Sequence, residues 1–325
     1  MRPAVPPGWI RCAGQYSLEM RACGVSEPGR DLELLELPEP PAPGSGQVLV
    51  AVEAAGMGPW DALLHTGGWD VGLQPPAALG VEGTGRVVAV GEDVHHVAVG
   101  DAVLAHEAPL PGGSGFWAQQ VLLEAADVAP RPPGLDAVDA AALPVGGLTA
   151  RQALDWLDVR AGERLLVTGG AGGTGAAVVE LAARAGVHVT ATASPGNADR
   201  LRRLGAAAVV DYHDADWPTH AGGSFDAAVV AAQGTASAAM TRIRDEGRLC
   251  SLTSDAPPEE RGIRSQNLYV APNAAQLAEL ANLVASGELT LQPEPVPLAE
   301  ALAAFRRVTA RTTGGAKVVL TLNRP

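Results

Sequence analysis

The run LLVTGGAGGTGAAVVELAARAG, residues 165–186, limits what this chain can fold into more than any other stretch. It sets Gly170, Gly172 and Gly175 in G-x-G-x-x-G spacing, between an apolar strand-like segment and an amphipathic helix-like one. The first glycine permits a tight turn, the second lets a pyrophosphate approach the backbone, and the third lets helix and strand pack closely. Unpaired N–H groups where the helix opens, around Gly173 and Thr174, and the helix macrodipole then favour an anion. A ligand-free tight turn is the bland reading. Strand, motif, helix and a second strand in register favour a dinucleotide site over it.

That unit belongs to a larger alternation. Strands are expected at 164–168, 188–193, 208–211, 227–231 and 248–252, with helices between them at 175–184 and 198–204. Their repeat is close to the ~30 residues of a βαβ unit, so a parallel sheet with helices on both faces is the economical fold. Residues 21–129 read differently, as strand and turn. QVLVAVEA at 47–54 alternates apolar and polar, and 84–90 and 101–106 suggest a strand pair. Helix formers fill 136–156, and helices at 274–286 and 298–309 precede a closing strand at 317–322. Residues 1–19 read as an arm ahead of the fold.

With 325 residues and 47% hydrophobic content, two domains are the natural expectation. A formal net charge of −13 offers no footprint for nucleic acid or an anionic membrane, so a phosphate-bearing ligand needs a local site. No apolar stretch reaches the ~18 residues of a membrane span. The three cysteines, Cys12, Cys23 and Cys250, are odd in number and without C-x-x-C spacing, which points to buried thiols in a reducing, cytoplasmic setting.

The choice between NAD and NADP is made after the second strand. An NAD site usually places Asp or Glu there, ~20 residues beyond the motif, to accept from the ribose 2′-hydroxyl. This chain has Ser194, then Pro195, Gly196 and Asn197, and no carboxylate before Asp199. A 2′-phosphate meets no repulsion at that point, and Arg200 and Arg203 follow closely enough to bond it. A solvated helix face is the competing reading for each, about as strong for Arg200 and stronger for Arg203.

Several ordered segments resemble the medium-chain dehydrogenase/reductase superfamily, and within it the zinc-independent NADPH quinone oxidoreductase branch. They are AAGMGPWD at 54–61, GVEGTGRVVAVGEDV at 80–94, GDAVLA at 100–105, AALPVGGLTARQAL at 141–154, and the GGAGGTG turn. The resemblance implies an α/β fold: a Rossmann doubly wound parallel sheet plus a mostly β GroES-like catalytic domain formed from both chain ends. Its expected limits are 1–19 for the arm, 20–147 for the GroES-like part, 148–270 for the Rossmann part and 271–325 for the return. Zinc alcohol dehydrogenases of this superfamily carry a cysteine ligand where this chain has Gly58 and a histidine where it has Val81. Glu82 alone cannot make the three-ligand open site of catalytic zinc.

The resemblance also implies cofactor contacts. Ser194, Tyr212 and Arg311 stand where related reductases hold the 2′-phosphate, and Asn197 replaces their lysine. Thr149 matches a threonine near the nicotinamide, although a helix-interior threonine also bonds its own backbone. Lys317 either reaches the cofactor or flanks the last strand. Relatives often have Asn at Gly58 and tyrosines at Leu63 and Trp69. Trp60, Leu63 and Trp69 thus become either the wall of an apolar substrate pocket beside Gly58 or ordinary core.

The expected reaction passes hydride from NADPH to a small hydrophobic electrophile, a quinone or an α,β-unsaturated carbonyl compound. No residue declares itself as a general acid or base, Asp61 is expected to hold a helix start, and the histidines are expected at the surface. Rival readings are an enoyl or tailoring reductase of biosynthesis, a non-catalytic NADPH-binding protein, and a zinc alcohol dehydrogenase. Relatives commonly dimerise edge to edge through the cofactor sheet, which makes the stretch at 263–270 the expected homodimer seam.

Overall fold

A computed structural model describes residues 19–322, so Cys12 and all but the last residue of the expected arm lie outside it. The G-x-G-x-x-G turn sits at the centre of a six-stranded, all-parallel sheet. From one edge the strands run Ala208–Asp211, His188–Ala193, Arg164–Thr168, Phe225–Val230, Ile243–Ser251 and Arg264–Asn267. Three of these coincide with the expected bounds; two others begin earlier than expected because Phe225 and Ile243 already pair, ahead of a register shift. The stretch at 263–270 supplies the edge strand Arg264–Asn267.

The helix after the turn, Gly173–Arg184, packs Ala176, Val178, Val179 and Ala182 against the sheet. Its N-cap, Gly172, is extended and contributes no side-chain cap, while Arg184 in the last turn complements the macrodipole. Residues 136–156 form two helices rather than one, Ala137–Ala142 and Pro144–Leu157. Pro144 has no N–H to continue the first helix and is at home as the first residue of the second. Residues 298–309 likewise begin with a single 3-10 turn at Leu298–Glu300 before the helix Ala301–Thr309.

The strand-rich half holds a seven-stranded sheet around Gln47–Met57 and Glu82–Val90. Both chain ends contribute to it: Pro293–Pro297 and Lys317–Thr321 pair in parallel, and the latter lies antiparallel on Gln47–Met57. A three-stranded sheet of Glu33–Pro38, Glu19–Val25 and Ala77–Ala78 stands beside it. The chain re-enters the larger sheet at Pro293. Helix Ala274–Ala285 first buries Leu277, Leu280 and Ala281 in the cluster that holds Leu148, Leu165 and Val178.

Candidate active site

Thr168 ends the first strand of the parallel sheet, where the sheet order reverses between His188–Ala193 and Phe225–Val230. A crevice at the carboxyl ends of such strands is where ligands bind in open α/β sheets. The turn is held there from beneath: Gly170 N donates to Thr192 O at 3.0 Å and Gly169 N to Thr192 Oγ1 at 3.1 Å. A Cβ on Gly175 would lie inside the contact radius of the Gly169 carbonyl oxygen and 3.0 Å from Gly170 Cα, so the close approach of helix and strand requires glycine. Above Gly173 nothing lies within 4 Å of a Cβ position. With no side-chain cap on this helix and open space beside Gly173, its opening amides fit a diphosphate, and these residues would hold it.

Side chains from distant segments gather at the rim of this turn. The Arg200 guanidinium donates to Ala171 O at 3.0 Å and is half-buried. Gly315 abuts the same carbonyl, and its Cβ position is 3.6 Å from Arg200 Nη1. Asn197 Nδ2 donates to Ser194 Oγ at 3.0 Å. Arg203 is exposed. Tyr212 is exposed with its ring 4.2 Å from that of His213, beyond the outer strand Ala208–Asp211. Arg311 donates to Gln233 Oε1 at 3.0 Å, on the Phe225–Val230 side of the turn, so Ser194 and Tyr212 stand across the first strand from it. Thr149 donates to Val145 O at 2.6 Å, the backbone bond open to a helix-interior threonine.

Helix Pro144–Leu157 joins this turn to a buried cluster in the strand-rich half. A Cβ on Gly146 would sit 3.5 Å from Thr174 Oγ1, and the preceding residue, Val145, donates its N–H to Glu82 Oε2 at 2.8 Å. Glu82 is fully buried and forms an ion pair with Lys317. The Lys317 ammonium lies 4.3 Å from the centroid of the Trp60 ring. That indole folds back over Gly58, where a Cβ would come within 2.5 Å of Trp60 Cη2 and closer still to Cζ2 and Cε2. Trp60 and Trp69 are half-buried against the strand-rich core, whereas Leu63 is 53% exposed. Asp61 does not cap the helix Asp61–Thr66 but is its first residue, accepting from Gly58 N at 2.7 Å in the turn that leads into it. Burial raises its carboxyl to about 8, and Asp61 Oδ1 and Trp60 Nε1 are buried without a hydrogen-bond partner.

The donors at this place do not suit zinc. Gly58 and Val81 have nothing to coordinate with, the Trp60 ring fills the space over Gly58, and Glu82 is committed to Lys317 and Val145. Among the described residues no three His, Cys, Asp or Glu side chains are grouped to hold a metal.

Two expectations about titratable groups are settled by burial. His106 is fully buried, not at the surface, with Nδ1 3.0 Å from Val81 O and its pKa lowered by desolvation. Its strand, Ala102–His106, lies between Glu82–Val90 and the edge strand Val128–Pro130, a placement that sequence spacing does not reveal. Cys23 and Cys250 are buried, and desolvation pushes both thiols up to about 12, so they pack as small apolar groups.

The Lys317–Glu82 pair, the Trp60 ring over Gly58 and the Gln233 partner of Arg311 escaped sequence reasoning as relationships. The available signals were single residues: Glu82 retained in a metal-site segment, and Lys317 at the head of a strand.

A doubly wound parallel sheet carrying an open Gly-rich turn, joined to a second β-rich domain built from both chain ends, defines a two-domain oxidoreductase of the NAD(P)-dependent kind. Residues 44–133 match the alcohol dehydrogenase GroES-like domain, and residues 204–320 match the zinc-binding dehydrogenase domain. The chain is 33% identical to a chloroplastic quinone-oxidoreductase homolog of Spinacia oleracea, over 66% of this chain and 68% of that protein. It is 36% identical, over 98% of its length, to the pikromycin polyketide synthase component PikAII of Streptomyces venezuelae. It spans only 9–14% of the length of the polyketide synthases it matches. Among solved structures it resembles the quinone oxidoreductase of Coxiella burnetii, with TM-score 0.85 and 27% identity over 94% of this chain and 100% of the other. The CurK enoyl reductase gives TM-score 0.81 and 25% identity over 94% and 99%. The chain belongs to the medium-chain dehydrogenase/reductase superfamily.

Proposed function

We propose that this protein is an NADPH-dependent reductase that works without zinc and reduces a quinone or an α,β-unsaturated carbonyl compound. The observation that carries this reading is the substitution at the place of the metal. Trp60 closes over Gly58, and Lys317 is paired with Glu82, beside a Gly-rich turn open to a diphosphate. NADPH rather than NADH is supported by the absence of a carboxylate between Ser194 and Asn197, and by the Arg200 guanidinium over the turn. Asp199, the first carboxylate after the second strand, forms an exposed ion pair with Arg202.

When bound, the cofactor supplies a hydride. The Gly173–Gly175 amides and Arg200 hold its phosphates, Gly175 keeps the helix close to the strand, and the indoles of Trp60 and Trp69 exclude water and present a flat apolar surface. Such a surface suits a conjugated electrophile. An enoyl thioester is the second substrate reading, favoured by the likeness to CurK and to the polyketide synthases. We also propose a homodimer seamed at Arg264–Asn267, the exposed edge of the parallel sheet, with a molecular mass in solution equal to one chain as the refuting result. A reducing cytoplasm suits its unpaired, buried thiols. Among the described residues no helix is long and apolar enough to cross a membrane.

The test is a turnover panel of quinones, enones and enoyl thioesters with NADPH and with NADH, together with zinc analysis of the pure protein. Oxidation of NADPH by one class of electrophile, by protein holding no stoichiometric zinc, is the expected result. Activity that tracks bound zinc, or binding of neither nucleotide, refutes the reading.

A further inference from the structure

We propose that Lys317 is the cation that meets the substrate oxygen as that oxygen gains negative charge. The inference rests on the reductase reading above and assigns a residue to the stabilising role that the reaction leaves open.

Position makes the first part of the case. Gly315 packs against Ala171 of the cofactor turn, and Lys317 is two residues further on. Val145, which binds Glu82, precedes Gly146, which faces Thr174 of the same turn. The Lys317–Glu82 pair is therefore tied to the cofactor turn by two separate chain segments and faces Trp60 on its other side. A substrate held between the Gly-rich turn and the Trp60 ring would come up against this ammonium.

Chemistry makes the second part. An ammonium has three donors and no acceptor. One donor goes to Glu82, whose other oxygen is taken by Val145 N–H, so the carboxylate anchors the ammonium from one side without surrounding the charge. The side chain retains 12% exposure, while Glu82 has none, so the accessible member of the pair is the positive one. A fixed cation in a dry site costs little reorganisation when charge develops beside it. In the step itself, hydride from reduced nicotinamide bonds to the β-carbon of C=C–C=O, and the π pair moves through to the carbonyl oxygen. The Lys317 ammonium donates a hydrogen bond to that enolate oxygen. A proton from water then bonds to the α-carbon, the C=O reforms, and the nicotinamide is left oxidised. With a quinone, the oxyanion formed is that of the hydroquinone, and water protonates it at oxygen.

The alternative use of Lys317, binding the cofactor diphosphate, makes different predictions. Lys317→Met, Lys317→Arg and the double variant Glu82→Gln/Lys317→Met are compared with the unaltered chain. The double variant leaves no lone buried charge, so it remains informative if the single one folds poorly. Three quantities are measured: kcat with the best electrophile, the NADPH dissociation constant by fluorescence, and the absorbance of 4-nitrophenol bound to the NADP⁺ complex. The nitrophenol stands in for the oxyanion, and its colour reports whether it is held ionised. Loss of one such donor should lower kcat by about 100-fold in both Met variants, with partial recovery in Lys317→Arg. NADPH affinity should stay within about twofold, and the bound nitrophenol should lose its anionic spectrum. An unchanged kcat and spectrum would reduce the pair to a structural one. A tenfold or so weaker NADPH affinity with kcat intact would make Lys317 a cofactor ligand instead. If the unaltered chain fails to oxidise NADPH with every electrophile of the panel, the reductase reading fails on its own, and the nitrophenol spectrum still decides whether Lys317 holds an anion.

Discussion

The indole of Trp60 occupies the volume that any side chain on Gly58 would need, with a Cβ at that position coming within 2.5 Å of Trp60 Cη2. Gly58→Ala should therefore destabilise the fold by about 1–3 kcal/mol, the usual cost of overpacking. In a Trp60→Ala background most of that cost should vanish. A double-mutant cycle by urea unfolding measures the coupling, and strict additivity of the two substitutions would show that the ring and the glycine do not compete for space.

Gly175 faces a harder obstacle, because the atoms its Cβ would strike are backbone, the Gly169 carbonyl and Gly170 Cα. No side-chain rotation relieves that contact. Gly175→Ala should lower stability by roughly 1–3 kcal/mol or more and weaken NADPH binding, since the helix must move off the strand and take its opening amides with it. Thermal unfolding and a fluorescence titration read the two effects. Retention of both at the level of the unaltered chain would remove the close approach as the reason for this glycine.

Arg200 tests the choice of nucleotide. Its guanidinium sits over Ala171 O, and Ser194 with Asn197 lies at the end of the second strand. Arg200→Ala should weaken NADPH binding by about tenfold while leaving NADH within about twofold. An equal loss with both nucleotides would move Arg200 to the shared diphosphate and deny it the 2′-phosphate.

Glu107 tests the effect of pH on stability. Burial raises its carboxyl from 4.5 to about 9, Asp127 shares a hydrogen bond with it, and it accepts from Glu124 N at 3.0 Å. Between those two values the folded chain keeps a proton that the unfolded chain releases, so stability falls as pH rises through the window. Glu107→Gln keeps an acceptor for Glu124 N–H and cannot ionise. Its Tm should fall less than that of the unaltered chain between about pH 5 and about pH 9, and should be the higher of the two at the alkaline end. Asp61, raised to about 8, leaves a residual slope of the same sign. Identical slopes in the two proteins would mean that Glu107 is ionised in the folded state.

Much of the fold could be read locally. Leu165, Leu166 and Val167 announce a buried strand, and the Gly170, Gly172 and Gly175 spacing announces the turn after it. The bounds at 164–168, 188–193 and 208–211 followed because a buried strand is a short apolar run between turn residues, a property of neighbours in sequence. Where a local signal has two meanings the reading was less sharp. Residues 136–156 carry helix formers throughout, yet Pro144 breaks them into two helices, and His106 in a short apolar strand proved to be interior.

Taken by itself, the amino-acid order determined the doubly wound half and its Gly-rich turn, because each is written in apolar runs and turn residues a few positions apart. Only the tertiary structure decided that Lys317 pairs with Glu82, 235 positions away, that Trp60 closes over Gly58, and that Arg311 turns to Gln233 rather than Ser194. The Lys317–Glu82 contact forms because the last strand, Lys317–Thr321, lies on Gln47–Met57, whose other neighbour is Glu82–Val90. Chain closure over such distances is set by the packing of whole sheets, which no local periodicity encodes.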